Sequence, residues 1–271
     1  MPELPEVETT RRGISPHIAG EMVVGVVIRQ PRLRWPVPLE LTEILPGQRL
    51  QAVGRRGKYL LLTFRTGSLI IHLGMSGSLR ILGSETPARK HDHFDLAFAN
   101  GAVLRLRDPR RFGAILWTSD APSNHPLLKD LGPEPLDNVL DGAYLQRQGK
   151  QRRVAIKNLI MDSKILVGVG NIYANEALFR AGIHPSRPSN RIALARYNKL
   201  ARAIVEVLRQ AIEEGGTTLR DFQQEDGRPG YFAQQLRVYG KVGEPCPKCS
   251  SSIRQKVIGQ RSSYFCTHCQ R

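Results

Sequence analysis

The most constraining feature of this chain lies near its C-terminus. Cys246-x2-Cys249 is followed, after sixteen residues, by Cys266-x2-Cys269. Each Cys-x2-Cys turn presents two thiolates from one tight knuckle, and two knuckles close a tetrahedral four-sulfur shell. A closed shell leaves no place for water, so the Zn2+ expected on Cys246, Cys249, Cys266 and Cys269 is a single structural ion. Spacing alone also admits a redox pair or a disulfide pair. No other cysteine occurs in the chain, which makes a chain-wide disulfide framework implausible. A ribbon of about 35 residues would not fold well without its metal. Between the knuckles, Arg254, Lys256 and Arg261 have no acid nearby. That pattern suits a finger pressed on phosphates, or else an ordinary solvated hairpin tip.

The rest of the chain divides by period. At 271 residues it exceeds the roughly 250 at which single cores stop growing, so two domains and a small appendage are expected. Val7, Ile14 and Ile18 share a face of a short helix within the first 20 residues, with Gly20 beyond its end. Short β-branched runs follow at 22–28, 59–64, 69–72, 94–98, 103–106 and 114–117. Asn100-Gly101 between two of them is a hairpin signal. With no helical crossovers between strands, this half reads as a β-sandwich. Leu131-Gly132-Pro133-Glu134-Pro135 marks a boundary, after which the period becomes helical. A pair of helices is expected around Val167-Gly168-Val169-Gly170-Asn171. Leu194, Leu200, Ala201, Ile204, Val205, Leu208 and Ile212 predict a long helix that stops at Gly215-Gly216. Residues 217–236 read as a long loop. The domains expected are therefore 1–130, 131–236 and 237–271.

Forty Lys and Arg against 24 Asp and Glu leave a formal charge of +16, which calls for a polyanionic partner. Nucleic acid is the first candidate, because each neutralised phosphate releases a counterion. Ribosome association or a merely soluble basic surface is the bland reading. No apolar run approaches the roughly 18 residues of a membrane span, and no signal pattern opens the chain. A cytoplasmic protein with no membrane partner is expected.

Four further segments carry chemistry. Methionine removal is favoured before a small residue, and would leave Pro2 as a secondary amine. An α-amino group is neutral in roughly a tenth or more of molecules at pH 7, against about 0.04% for a lysine. Attack of that amine on a sugar C1′ gives a cationic iminium, an electron sink for losing the 3′ and then the 5′ phosphate. Glu3 beside it is the natural general acid/base. In isolation, however, Pro-Glu near a helix start is usually helix-opening chemistry. Gly168-Val169-Gly170-Asn171 enters a helix at 172–180 and suits an anion at its N-terminus, or is an ordinary tight turn. Leu73-Gly74-Met75-Ser76-Gly77 and Asp108-Pro109-Arg110-Arg111-Phe112-Gly113 could expose apolar wedges and a guanidinium to a base stack. Alternatively, Met75 and Phe112 are core residues.

Taken in order, these segments resemble the bacterial formamidopyrimidine-DNA glycosylase family. The likeness runs from Pro2-Glu3-Leu4-Pro5-Glu6-Val7-Glu8-Thr9 through Lys58-Tyr59-Leu60, His72-Leu73-Gly74-Met75-Ser76-Gly77 and Asp108-Pro109-Arg110-Arg111-Phe112-Gly113. It continues through Val167-Gly168-Val169-Gly170-Asn171-Ile172-Tyr173 and Gly230-Tyr231-Phe232 to the finger. The resemblance implies an α+β multidomain fold: a β-sandwich with an N-terminal helix, a helix–two-turn–helix domain and a zinc ribbon finger. It implies a monomeric base-excision-repair glycosylase and abasic-site lyase acting on double-stranded DNA that contains oxidised purines or abasic sites.

Its site residues carry over position by position. Pro2 would attack C1′ while Glu3 handles protons. Lys58, His72, Asn171 and Arg261 would clamp phosphates around the flipped nucleotide, with Lys58 and Arg261 beside the reacting centre. Met75, Arg110 and Phe112 would fill the vacated space. His93 and Tyr231 would touch DNA, Lys157 would handle the damaged base, and the 217–236 loop would cover it. If Arg110 faces the orphaned base, its donors meet O2 and N3 of cytosine but oppose the N6 donor of adenine. That mismatch is worth on the order of 1–3 kcal/mol, so oxidised guanine opposite cytosine is the expected substrate. The sister glycosylases for oxidised pyrimidines and a non-catalytic damage-sensing protein are the rivals.

Overall fold

Leu4, Val7, Ile14 and Ile18 are all buried, and the first helix, α1 (Leu4–Ile18), forms on the face they define. The computed structural model describes residues 2–137, 140–216 and 235–271. These fall into two compact units, one built on the residues up to Asp130 and the other on Leu131–Glu214 with the C-terminal described residues.

The first unit is the expected β-sandwich. One antiparallel sheet orders its strands β1 (Val23–Ile28), β6 (Asp92–Phe98), β7 (Ala102–Arg107) and β5 (Ser78–Gly83). The other orders β2 (Ala52–Arg56), β3 (Tyr59–Phe64), β4 (Gly67–His72) and β8 (Ala114–Thr118), also antiparallel. Alternation decides which side chains face inward. Leu60, Leu62 and Phe64 of β3 meet Phe94, Leu96 and Phe98 of β6 and Leu104 and Leu106 of β7 in one core. Val7, Ile14 and Ile18 join that core, because α1 packs against β2 and β3 of one sheet and β5 and β7 of the other. A four-residue helix, α2 (Leu41–Ile44), packs on β1. Periodicity found neither α2 nor β2. β2 reads Ala-Val-Gly-Arg-Arg and lacks the apolar alternation of a half-buried strand.

The second unit holds α3 (Gly142–Gly149), α4 (Ile156–Met161), α5 (Asn171–Ala181) and α6 (Leu194–Glu213). Both α3 and α5 pack on α6, whose Leu200, Ala201, Ile204 and Leu208 are buried as the spacing predicts. Gly182, at φ +69, ends α5 in the left-handed conformation that favours glycine. A hairpin of β9 (Arg254–Ile258) and β10 (Arg261–Phe265) follows. Its two turn residues, Gly259 and Gln260, both have positive φ, the geometry that matches strand twist in a two-residue loop. Phe179 of α5 shares a small core with Val238, Cys246, Ile253 and Cys266, so the finger and the helices make one unit. Among the described residues no helix is long and apolar enough to cross a membrane.

Candidate active site and nucleic-acid interface

In the sandwich unit, Glu3 is the N-cap of α1 and is 2% exposed. The Glu6 carboxylate turns back to accept the Glu3 N–H at 2.8 Å, the returning half of a capping box. Pro2 precedes it and is buried. Helix-opening chemistry is therefore present here, and it fixes the backbone on which a Pro2–Glu3 pair would work.

The Glu8 carboxylate on the same helix gathers Arg11 at 2.8 Å, Arg12 at 2.9 Å and Arg55 at 3.1 Å. Burial works against ionisation, but these guanidiniums outweigh it and hold the carboxyl at about 2. Arg55 in turn donates to Gly57 O at 2.8 Å, steadying the turn from β2 to β3 on which Lys58 sits. Sequence reading quoted Glu8 only as part of a motif. Its partner Arg55 is 47 positions away, so nothing local announced the cluster.

His72 ends β4 directly opposite Tyr59 of β3, their rings 4.8 Å apart. Burial first, then the Lys58 and Arg34 charges, lower its pKa to about 4. Its Nδ1 accepts the Gly74 N–H at 2.9 Å. The ring is thus neutral at physiological pH, with Nε2–H as its single donor. The ring therefore has an N–H to give but no charge, whereas the neighbouring Lys58 is cationic.

The two loops also settle into place. Phe112 is 46% exposed, Arg110 is exposed and Met75 is half-buried, so none of the three belongs to the sandwich core. The Arg110 guanidinium lies 4.9 Å above the Phe112 ring, a cation–π pair presented together. His93, where the β6–β7 register shifts, donates from Nε2 to Asp108 O at 2.9 Å, at the base of that loop.

In the helical unit, Gly168 takes φ +82 and Gly170 caps α5, so the turn before the helix is the tight one that the glycines allow. Asn171, at the helix start, donates from Nδ2 to Ser262 O at 3.1 Å and retains a second N–H. Lys157 donates to the same carbonyl at 2.9 Å and to the Ser263 hydroxyl at 2.6 Å. Two donors from different helices converge on the residue after Arg261, which is itself exposed. Asn171 and Arg261 are brought together by this junction, whose acceptor is a backbone carbonyl and so leaves no mark in the sequence. Lys157 is fully buried. In this structure its ammonium holds the finger hairpin. Gly259 at the hairpin tip sits so close to Asn158 that a Cβ would lie 2.5 Å from its side chain. Tyr231 and residues 217–234 of the expected loop lie outside the described residues.

The four cysteines carry no disulfide, and their Sγ atoms all lie within 4.8 Å of one another. The Cys249–Cys266 and Cys246–Cys269 separations are 3.5 and 3.9 Å. A tetrahedral Zn–S shell of about 2.3 Å bonds has edges of about 3.8 Å, which these sulfurs match. Matching turns, Ser250 N–H to Cys246 O at 2.8 Å and Gln270 N–H to Cys266 O at 3.0 Å, shape both knuckles.

The chain thus combines a β-sandwich that carries Pro2-Glu3, a helical unit and a four-cysteine finger. Family models match along the chain: the formamidopyrimidine-DNA glycosylase N-terminal domain over residues 1–115, its H2TH domain over 131–223, and a zinc finger found in FPG and IleRS over 243–271. The formamidopyrimidine-DNA glycosylase of Methylococcus capsulatus is 62% identical over the whole of both chains. The crystal structure of the MutM (FPG) protein from Thermus thermophilus matches with a TM-score of 0.88 at 38% identity, covering 99% of this chain and 98% of that one. A point mutant of Lactococcus lactis FPG, solved in complex with Fapy-dG-containing DNA, matches over 100% of both chains with a TM-score of 0.91 at 33% identity. The wild-type Lactococcus protein, at the same identity, coverage and TM-score, has also been solved with DNA containing an oxidised pyrimidine. The chain belongs to the formamidopyrimidine-DNA glycosylase family, enzymes of base-excision repair with glycosylase and abasic-site lyase activity.

Proposed function

We propose that this enzyme excises oxidised purines, 8-oxoguanine opposite cytosine and formamidopyrimidines, through a Schiff base on the Pro2 nitrogen. It then cuts the strand by β,δ-elimination. What supports the reading is the buried Pro2-Glu3 pair at the capped start of α1: with Met1 removed, an amine and a carboxylate would stand on adjacent residues of a fixed backbone.

The Pro2 nitrogen, exposed by removal of Met1, forms a bond to C1′ as the base departs with the glycosidic electrons. Glu3 delivers a proton to open the sugar ring. The resulting iminium acidifies C2′–H, and loss of that proton expels the 3′ phosphate. Loss of the C4′ proton from the unsaturated iminium then expels the 5′ phosphate, and water hydrolyses the iminium to free Pro2. Lys58 and His72 from one unit, and Asn171 and Arg261 from the other, act as donors to strand phosphates. Met75, Arg110 and Phe112 fill the emptied place in the stack, with His93 and Tyr231 as further DNA contacts. One Zn2+ on Cys246, Cys249, Cys266 and Cys269 holds the finger's fold. The enzyme acts as a monomer in the cytoplasm on duplex DNA.

Borohydride trapping on abasic-site DNA tests the nucleophile. Wild type should form a covalent adduct, and protein that retains Met1, whose Pro2 nitrogen is an amide, should form none. An undiminished adduct from the Met1-retaining form would assign the chemistry to another amine. Excision compared between 8-oxoguanine and thymine glycol duplexes tests the substrate class, and a preference for the pyrimidine lesion would reverse it.

A further inference from the structure

One carboxylate in the sandwich unit ties the two wedge loops together. Asp108 is fully buried. Its Oδ1 accepts the Ser76 hydroxyl at 2.7 Å, across 32 positions of chain, and its Oδ2 accepts the Gly113 N–H at 2.7 Å. The Ser76 oxygen also accepts the Arg110 N–H at 3.2 Å. One side chain therefore grips the far end of its own loop and the middle of the other, while the Ser76 hydroxyl reaches back to the wedge arginine.

The backbones themselves touch at this junction. Gly74 has φ +64, and a Cβ on it would lie 2.4 Å from Gly113 N and from Phe112 C. A Cβ on Gly113 would lie 2.9 Å from His72 O and 3.0 Å from Asp108 Oδ2. Arg111, at φ +55, takes a conformation that an arginine adopts only when its surroundings hold it. The Arg111 N–H donates to Asp108 O at 3.1 Å, and the His93 ring donates to that same carbonyl.

Energy alone does not account for a carboxylate here. The Ser76 hydroxyl and the Gly113 N–H are both neutral donors, and a carboxyl group taken out of water is costly even when hydrogen-bonded. A buried carboxyl kept on such terms contributes geometry more than stability. The geometry is a fixed register between Met75, on one side of Ser76, and Arg110 and Phe112, within four residues of Asp108.

We propose that Asp108 and Ser76 are positioning residues that make the two loops a single wedge, and that this register sets the enzyme's preference for the base opposite the lesion. The inference rests on the reading of Met75, Arg110 and Phe112 as the wedge. Arg110 discriminates cytosine from adenine only if its donors arrive in one place. A wedge whose halves move separately would still enter the stack but would read the opposite base less sharply. Neither Asp108 nor Ser76 touches the reacting sugar in this account.

The test uses Ser76→Ala and Asp108→Asn in the full-length, zinc-loaded enzyme. Both changes are close to isosteric, and Ser76→Ala leaves the Asp108–Gly113 bond in place. Single-turnover excision would be measured on 8-oxoguanine duplexes with cytosine or adenine opposite, and borohydride trapping on a preformed abasic site. An abasic site has no base to evict, so trapping depends on the nucleophile and phosphate contacts more than on the wedge. Each variant should slow excision opposite cytosine by roughly tenfold, the worth of one hydrogen bond, narrow the cytosine-over-adenine ratio, and trap abasic DNA at the wild-type rate. Unchanged excision and ratio in both variants would overturn the inference. So would a parallel loss of excision and trapping, which would mark the pair as general support for the fold. Arg110→Ala and Phe112→Ala separate the two layers of the argument. If those leave the ratio untouched, the wedge reading itself falls; if they collapse it while Ser76→Ala and Asp108→Asn do not, only the positioning role falls.

Discussion

The interior of the sandwich unit is built from apolar side chains contributed by α1 and both sheets, from Val7 to Ile115. Around the finger the interior is Phe179, Val238, Cys246, Ile253 and Cys266, and two of those five are cysteines. The first unit is stabilised by area removed from water. The finger has only Val238, Ile253 and Phe179 of α5, and otherwise depends on sulfur. The units hold the groups proposed to bind DNA differently as well. His72 ends β4 and Lys58 sits on the turn leading into β3, both set by the register of the sheet, whereas Arg261 is next to Ser262, which takes bonds from Lys157 and Asn171. A sheet can hold a side chain by its own ladder. A two-stranded hairpin cannot, and needs a metal and a neighbouring helix to do it.

The sharpest way to break that contrast is to remove the metal. Cys249→Ser, or exhaustive chelation, should abolish stoichiometric zinc and weaken binding to a lesion duplex on the order of a hundredfold, since Arg254, Lys256 and Arg261 lose their common frame. The sandwich should keep its own thermal transition. Because Phe179 lies in the shared cluster, the transition of the helical unit should move down. Metal-free protein that binds DNA as well as wild type would remove the finger from the interface.

Legibility in the sequence follows the same division. The sandwich core, α1, α5 and α6 were readable because burial imposes a period, and the four cysteines because metal geometry imposes a spacing. β5 starts directly after Gly77 of the wedge loop, and Arg80 between Leu79 and Ile81 leaves it too short an apolar run to stand out. α3 is short, with only Leu145 as a large buried apolar anchor, and offers no stripe to find. Among site residues, Pro2, Glu3, Asn171, the wedge loops and the cysteines stand out from motifs and spacing, whereas Lys58, His72, His93, Lys157 and Tyr231 enter only through the family resemblance. The groups that aim them escaped, because their partners are backbone atoms or distant in sequence: Ser262 O for Lys157 and Asn171, Arg55 for Glu8, Ser76 for Asp108.

Lys157→Met sharpens the contrast at a smaller scale. The methionine fills similar space but leaves the Ser263 hydroxyl without its donor and Ser262 O with Asn171 alone. A loss on the order of 1–3 kcal/mol in the helical unit is expected, with zinc retained and the sandwich transition unmoved. Should melting be unaffected while excision of one lesion type fails, Lys157 acts on the base after all. Arg261→Ala should leave both transitions in place, because the side chain is exposed. It should flatten the dependence of log affinity on log salt by about one unit, equally across sequences. Loss confined to one sequence would indicate a base contact.

The smallest effect concerns acid, and it belongs to the sandwich. His72 has its pKa lowered to about 4, from 6.5, so between those values the unfolded chain binds a proton that the folded one refuses. Stability attributable to His72 is therefore complete above pH 6.5 and declines as pH falls towards 4. Glu8, lowered to about 2 from 4.5, adds a second decline that begins near pH 4.5 and runs down towards 2. Two windows in the same direction should give the sandwich a two-stage acid destabilisation by denaturant titration. Glu8→Gln should flatten the lower stage and leave the upper one. His72→Asn, whose amide keeps both a donor and an acceptor, should do the reverse. A phosphate-binding histidine would ordinarily be expected to gain affinity by protonation near neutrality. Here the Gly74 N–H occupies the nitrogen that would take the proton, and Lys58 and Arg34 oppose the charge. DNA affinity should accordingly show no His72-dependent rise between about pH 8 and 6, around the ordinary histidine range. Such a rise, absent in His72→Asn, would mean that the bound strand recharges the ring.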